Sequence, residues 1–216
     1  MSQDAWDPAQ YARFRTERRQ PSYDLLALVQ PVAGGRVVDF GCGTGELTAE
    51  LHRHTKAAAT LGVDYSPGML ESAAGVARPG IAFAQGEIAS FVPDAPVDIV
   101  FSNAALQWVP DHEALFARLA GFLAEGGQLA VQNAGEPRPR LPRHCRRDSA
   151  GEPFRAATGG KPRPWPVLAP EAYATLLDRL RFGSPLVRLQ VYIHHLPSRD
   201  EVVEWVKGTY LTYYRA

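Results

Sequence analysis

The run Val37-Val38-Asp39-Phe40-Gly41-Cys42-Gly43-Thr44-Gly45 carries an apolar strand into three alternating glycines. Glycine adopts the positive φ angles that a tight strand-to-helix turn requires, and without a Cβ it lets a ligand approach the backbone, so this turn reads as a cofactor cradle. Leu47 and Leu51 continue it as a helix over Glu46–His54. A dinucleotide fingerprint places its third glycine three residues after the second, and that position here is Glu46. A carboxylate in the first helical turn repels a pyrophosphate. Together with Asp39 at the strand end it favours a ligand that carries positive charge and no phosphate. Asp64 closes a second apolar run, Thr60-Leu61-Gly62-Val63, nineteen residues beyond the last glycine. The tip of the neighbouring parallel strand is where a ribose-binding carboxylate belongs.

Positioning these residues takes an α/β fold, a Rossmann-like doubly wound and mostly parallel sheet, and the chain has that pattern. Strands are expected near Arg36–Phe40, Thr60–Asp64, Ile81–Gln85, Val97–Asn103 and Gln128–Asn133. Helices are expected at Glu46–His54, Pro67–Ala77 and His112–Leu123, the second capped by Ser66 with Pro67, the third by Asp111 and ended by Gly126-Gly127. Such folds bind ligands outside the carboxyl ends of their strands, which gathers Asp39–Gly45, Asp64, Gly86–Ile88, Asn103–Trp108 and the residues after Gln132. Around this core (residues 34–135) the sequence predicts an N-terminal helical cap (1–33), then a lid and helix (136–186), and finally a last strand and C-terminal helix (187–216). The lid is inferred from Glu136–Pro166, where prolines argue against a long helix and eight basic residues face three acids. The last strand is inferred from the alternation of Val187–His194, in which His194 and His195 point to opposite faces.

Composition narrows the function classes. A chain of 216 residues, 45% hydrophobic, suits one domain with a sizeable core. Its 23 basic and 23 acidic residues give no global field toward nucleic acid or anionic membrane, so neither is expected as a partner. Cys42 and Cys145 have no metal-ligand spacing, and no metal is expected. The N-terminus lacks a signal-peptide pattern and no apolar run approaches a membrane span, which makes a cytoplasmic protein the expectation.

With these residues in hand, the chain resembles the class I S-adenosylmethionine-dependent methyltransferases, whose cofactor carries a sulfonium and an ammonium. It is similar, more narrowly, to the trans-aconitate methyltransferase family. Three further stretches carry that match: Trp6-Asp7-Pro8 with Tyr11, Phe14, Glu17-Arg18 and Pro21; Ser102-Asn103-Ala104-Ala105-Leu106-Gln107-Trp108-Val109-Pro110-Asp111-His112; and Tyr192-Ile193-His194-His195-Leu196-Pro197 followed by Glu204-Trp205. The resemblance implies that Asp39, Gly41, Cys42, Gly43 and Gly45 line the S-adenosylmethionine cradle and that Asp64 takes the ribose hydroxyls. It puts Tyr65 and Met69 on the adenine side, with Glu87 and Ile88 near the adenine amino group, and Asn103 and Trp108 at the methionine part. Tyr11, Arg18, Gln107, Tyr192 and His194 fall on the substrate side. Met69 and Trp108 read equally as core, and Glu87 as an exposed loop acid. His112, beside a helix cap, reads as a surface residue rather than a base. Two departures stand out: the lid is more basic than in the family, and the family continues past Trp205 with a strand for which no residues remain before Ala216.

The activity implied is methyl transfer to an oxygen of a small carboxylic acid, giving a methyl ester and S-adenosylhomocysteine, by a monomer or homodimer. A carboxylate is ionised at neutral pH, so alignment and water exclusion suffice and no base is required. Lid arginines and Arg18 would clamp the other carboxylates of a polyacid; a solvated lid and an RNA-binding segment are the other readings, the last lacking interleaved aromatics. A hydroxyl acceptor would instead need a base, with His194 or His112 the residues available. Another oxygen, nitrogen or carbon acceptor, and a cofactor-binding protein without turnover, are the alternatives. A nicotinamide oxidoreductase is disfavoured by Glu46.

Overall fold

A computed structural model describes residues 15–134 and 166–207. Five strands form one sheet in the order β3-β2-β1-β4-β5, every pair parallel: β1 Arg36–Phe40, β2 Ala59–Asp64, β3 Ile81–Gln85, β4 Val97–Asn103 and β5 Leu123–Gln132. Helix α1 (Arg15–Leu26) precedes the sheet; α2 (Glu46–Thr55), α3 (Pro67–Ala74) and α4 (His112–Ala120) connect strands; α5 (Pro170–Arg179) and α6 (Arg199–Lys207) follow. The strand order reverses between β1 and β4, so the carboxyl ends of these two strands flank a crevice.

The central strands are covered on both faces over most of their length, which is why they are continuous apolar runs instead of alternating ones. Val37, Ile99 and Phe101 pack with Leu25 and Leu26 of α1, with Val29 just after it and with Leu51 of α2. Val38, Phe40 and Val100 point the other way, onto Leu115, Phe116 and Leu119 of α4 and Leu176 of α5. Phe40 and Phe101 are fully buried. Ser66 caps α3 through Met69 N–H at 3.2 Å, and Asp111 caps α4 through Ala114 N–H at 3.1 Å, as the sequence indicates.

The structure departs from the sequence reading in three places. Helix α4 stops at Ala120, because the Gly121 N–H closes back on the Ala117 and Leu119 carbonyls, so Gly126-Gly127 does not end it. Those glycines lie within β5, where Val97 pairs with Leu123 but Ile99 with Gln128, and Gly126 at φ 74° accommodates the excursion between the two pairings. Helix α3 is shorter than expected: Gly75 ends it, and Gly80 at φ 85° turns the chain through an Arg78–Ile81 bridge into β3. The third departure is Val187–His194, which forms no strand. A strand needs a partner backbone, and this segment pairs with none among the described residues. Tyr192 instead donates its hydroxyl to Asp24 of α1 at 2.8 Å, leaving Val191 80% and Ile193 81% exposed. β5 is accordingly the last strand of the sheet among the described residues.

No helix among the described residues is long and apolar enough to cross a membrane. The expected N-terminal cap is represented by α1, which continues through Pro21, and residues 1–14 lie outside the described residues, as do the basic lid and Cys145.

Burial separates two substitutions by urea denaturation. Phe101→Ala is expected to lose about 3–5 kcal/mol, as aromatic-to-alanine changes in cores do, whereas Ile193→Ser should stay within about 0.5 kcal/mol of the parent. A large loss for Ile193→Ser would mean that the segment is packed as a strand after all.

Candidate active site

The glycine turn between β1 and α2 is held from beneath by backbone. Gly41 and Cys42 donate their N–H groups to the Val63 carbonyl of β2 at 2.8 and 3.1 Å. Gly43 donates to Asp64 Oδ2 at 2.9 Å, while Asp64 Oδ1 accepts Ser66 N–H at 3.0 Å, so one carboxylate joins the turn to the tip of β2 and the start of α3. Gly43 stands at φ 55° and a Cβ added there would meet nothing within 4 Å, so this point of the turn faces open space. Gly45 stands at φ 78°, and a Cβ there would lie 2.6 Å from the Phe83 ring; α2 packs too closely on β3 for any other residue.

Asp39, at the end of β1, is 2% exposed and accepts the Thr48 hydroxyl at 2.6 Å. Burial raises its pKa from 3.8 to about 7, against the opposing pull of the Thr48 hydrogen bond and with a further upward push from the charge of Asp64. A carboxyl poised in this way ionises fully when a cation comes within reach. Burial likewise pushes the Cys42 thiol well above its ordinary value, so Cys42 is inert packing in the turn and no nucleophile.

Across the crevice, β4 ends in a strained loop. Ala104 and Asp111 both adopt positive φ, 54° and 52°, uncommon for residues with a Cβ. The loop is held by Ala104 N–H to the Gln132 carbonyl at 2.8 Å and by Gln107 Nε2 to the Ala104 carbonyl at 2.7 Å. Asn103 donates through Nδ2 to the Ser22 hydroxyl of α1 at 3.0 Å. Three buried amide oxygens, Asn103 Oδ1, Gln107 Oε1 and Asn133 Oδ1, have no hydrogen-bond donor among the described residues. Buried acceptors of this kind are rare, and these three cluster at the carboxyl ends of β4 and β5.

The sequence-derived residues fall into two groups. Asp39, Gly41, Cys42, Gly43, Gly45, Asp64, Tyr65, Ile88, Asn103, Gln107 and Trp108 belong to the turns and loops at the carboxyl ends of β1 to β4. Tyr65 is half-exposed beside Asp64, and its carbonyl accepts Gln85 Nε2 at 3.1 Å. Met69 is 3% exposed, in the core reading of that residue, and Glu87 is exposed. Tyr192 and His194 lie in the extended segment before α6, where His194 is exposed and stacks on Trp205 at 5.0 Å. Tyr11 lies outside the described residues, as does the side chain of Arg18.

His112 corrects the sequence reading most. It is 1% exposed, its Nε2 lies 3.0 Å from the Leu106 carbonyl, and its Nδ1 meets the Tyr173 hydroxyl. Burial lowers its pKa, so it is a neutral imidazole with both nitrogens engaged, neither a surface residue nor an available base. Thr48, Ser22 and Tyr173 were not found by sequence reasoning. Thr48 was within reach of it, since the first turn of a helix opening at Glu46 faces back onto β1, but Ser22 and Tyr173 meet their partners across 81 and 61 residues. A cleft of about 480 Å³ lies at the opposite, amino end of the sheet, lined by Arg36, Ala59, Leu61, Ile81 and Val92. It arises because the β3–β4 connection has no helix to cover that face, and it holds none of the site residues.

Residues 37–127 match a methyltransferase domain family. The chain is 43% identical over 212 residues to the trans-aconitate 2-methyltransferase of Methylobacterium nodulans, covering 94% of this chain and 79% of the relative. It is 40% identical to the enzyme of that name from Deinococcus radiodurans, over 97% of this chain and 82% of the relative. Among solved structures, a Haemonchus contortus phosphoethanolamine N-methyltransferase in complex with phosphomonomethylethanolamine and S-adenosylhomocysteine superposes with a TM-score of 0.60 at 20% identity, over 75% of this chain and 37% of that one. The YcgJ protein of Bacillus subtilis gives 0.55 at 20% identity, over 76% and 68%. At such identities these two structures share the fold alone.

The buried neutral His112 sets a pH dependence. Its folded pKa lies below the unfolded value of about 6.5, so the unfolded chain binds more protons between the two values and stability falls as pH drops below about 6.5. Asp39, whose carboxyl of raised pKa takes up a proton in the folded chain over the same range, contributes the opposite slope to parent and variant alike, so the His112 part is read as a difference: in urea titrations His112→Gln should gain stability relative to the parent as pH falls from 7.5 to 5.5. An unchanged slope in the variant would mean that other groups carry the acid sensitivity.

Proposed function

We propose, from the premise that this chain belongs to the trans-aconitate 2-methyltransferase family, that it methylates a carboxylate oxygen of a small polycarboxylic acid such as trans-aconitate, with S-adenosylmethionine as methyl donor. The observation that carries the reading is the Gly43–Asp64 cradle: a bare turn facing open space beside a carboxylate fixed by two backbone N–H groups.

The residues present suit that cofactor. It brings an ammonium, two ribose hydroxyls and an adenine amino group, all hydrogen donors, and the crevice offers Asp39, Asp64 and the buried oxygens of Asn103, Gln107 and Asn133 as acceptors. In this reading Gly41, Cys42, Gly43 and Gly45 line the methionine and ribose portion, Asp64 holds the ribose, and Tyr65 and Ile88 flank the adenine. Asn103 and Trp108 meet the methionine end. Met69 supports this wall from within the core, and Glu87 is exposed at its edge. When bound, the cofactor supplies an electrophilic methyl group on a sulfonium; transfer breaks its S–CH3 bond, forms O–CH3 on the acid and leaves S-adenosylhomocysteine.

The chain's own part is to align and to exclude water. A carboxylate acceptor needs no deprotonation, which agrees with a site whose one buried histidine has both nitrogens engaged. Gln107 would orient the acceptor. The remaining carboxylates of a polyacid would fall to Arg18 and the arginines between residues 136 and 166, with Tyr11, Tyr192 and His194 on the substrate side. Arginine suits this role by its bidentate geometry.

Incubation with S-adenosylmethionine and a panel of di- and tricarboxylic acids, read by mass spectrometry, is expected to add one methyl group to trans-aconitate or a close analogue. No methylated acid anywhere on the panel, from protein that binds the cofactor, would contradict the reading. Asp39 gives a second outcome. Its carboxyl must lose its proton to pair with the cofactor's ammonium, so affinity for S-adenosylhomocysteine should tighten as pH rises from about 6 to about 8, through the value near 7. The Asp39→Asn variant should lose that slope; a slope retained in the variant would assign it elsewhere.

A further inference from the structure

His112 and Tyr173 do not line the crevice, yet they join the Leu106–Trp108 turn to α4 and α5 on its acceptor side. The imidazole Nε2 reaches the Leu106 carbonyl at 3.0 Å, at the start of the short 3-10 turn Leu106–Trp108 that carries Gln107 and Trp108. Its Nδ1 accepts the Tyr173 hydroxyl of α5, and the Tyr173 oxygen in turn accepts the Leu168 N–H at 3.3 Å. The three rings of His112, Phe116 and Tyr173 are mutually packed, with centroids 5.1 to 5.9 Å apart.

The hydrogen-bond inventory fixes the polarity of this chain. A backbone carbonyl can only accept, so Nε2 carries the imidazole proton; Nδ1 is then an acceptor and the phenol hydrogen must point to it. The Tyr173 oxygen keeps a lone pair for the Leu168 N–H. Each member has one role, and reversing any member leaves a buried polar atom without a partner. The turn it secures is one that would not hold itself, since Ala104 and Asp111 on either side of it are in left-handed conformations. The position of the turn also bears on the cofactor cradle: a Cβ on Gly41 would lie 2.2 Å from that of Ala105.

From this juxtaposition we infer that His112 and Tyr173 are positioning residues for the acceptor: a Leu106–His112–Tyr173 relay sets where Gln107 and Trp108 stand and ties them to Leu168 and α5. Placement of the acceptor-facing turn is thereby coupled to the seating of α5, and neither residue touches the reacting atoms. The inference rests on the proposed function for its catalytic consequence, and on geometry alone for its mechanical one. The charged groups around the imidazole are few: Asp111 precedes it on α4, and from the other elements packed on it Tyr173 is the titratable group.

Tyr173→Phe keeps the ring packing and removes only the hydroxyl. Hydrogen exchange of the peptide spanning residues 104–109 is expected to quicken about tenfold, a relay worth one hydrogen bond, while α2 and α3 exchange as in the parent. Affinity for S-adenosylhomocysteine, read by calorimetry, should change less than about twofold, and the KM for the acid should rise about tenfold with a smaller change in kcat. His112→Gln, which can still donate to Leu106, should restore part of what His112→Leu loses. Unaltered exchange at 104–109, or a uniform rise across all helices, would overturn the relay whatever the activity. Normal exchange effects with no cofactor binding by the parent protein would instead fault the proposed function and leave the relay standing.

Discussion

The Asp64 carboxylate is the interaction on which the rest of the site depends. It takes a backbone N–H from Gly43 with one oxygen and from Ser66 with the other, and so welds the glycine turn of β1 to the tip of β2 and the start of α3. Charge-assisted hydrogen bonds of this kind are worth about 1.5–3 kcal/mol each. They also set a demand: the turn can present Gly43 to Asp64 only with the chain in the left-handed region, at φ 55°. Sequence, backbone strain and ligand approach therefore meet at one residue.

Around this weld the two faces of the sheet divide the work. The face under α1 and α2 is a plain core, closed by Leu25, Leu51, Ile99 and Phe101. The face under α4 and α5 is also apolar, through Phe40, Leu106, Leu119 and Leu176, but it carries the polar chain of His112 and Tyr173 up to the crevice. Helix α1 adds a third tie, from Ser22 to Asn103 at the end of β4 and from Asp24 to Tyr192. The acceptor side is thus assembled from elements far apart in the chain, whereas the glycine turn and its Asp39 and Asp64 carboxyls are local to residues 39–66.

That difference explains what could be read beforehand. Strands β1, β3 and β4, the caps at Ser66 and Asp111, and the cradle with Asp39 and Asp64 were legible because each rests on local spacing: apolar runs, glycine punctuation, a carboxylate at a strand tip. Gly126-Gly127 misled because paired glycines end helices as readily as they interrupt strands. Val187–His194 misled more deeply. Alternation states that a segment has two unlike sides and does not say that a sheet edge waits to receive it, and Tyr192 drew this segment to Asp24 instead. His112 was hidden for the same reason, since its burial depends on Tyr173, 61 residues further along the chain. Membership in the trans-aconitate 2-methyltransferase family was readable because its motifs are contiguous in sequence, whatever distant partners the fold brings to them.

The account turns on whether the Asp64-bound turn holds the cofactor. Calorimetric titration with S-adenosylhomocysteine, with a nicotinamide dinucleotide as control and the Asp64→Ala variant alongside, tests this most directly. Saturable binding of S-adenosylhomocysteine alone, lost in a variant that retains its far-UV circular dichroism, is the expected result. A folded parent protein that binds neither ligand, or a variant that binds as well as the parent, would contradict it.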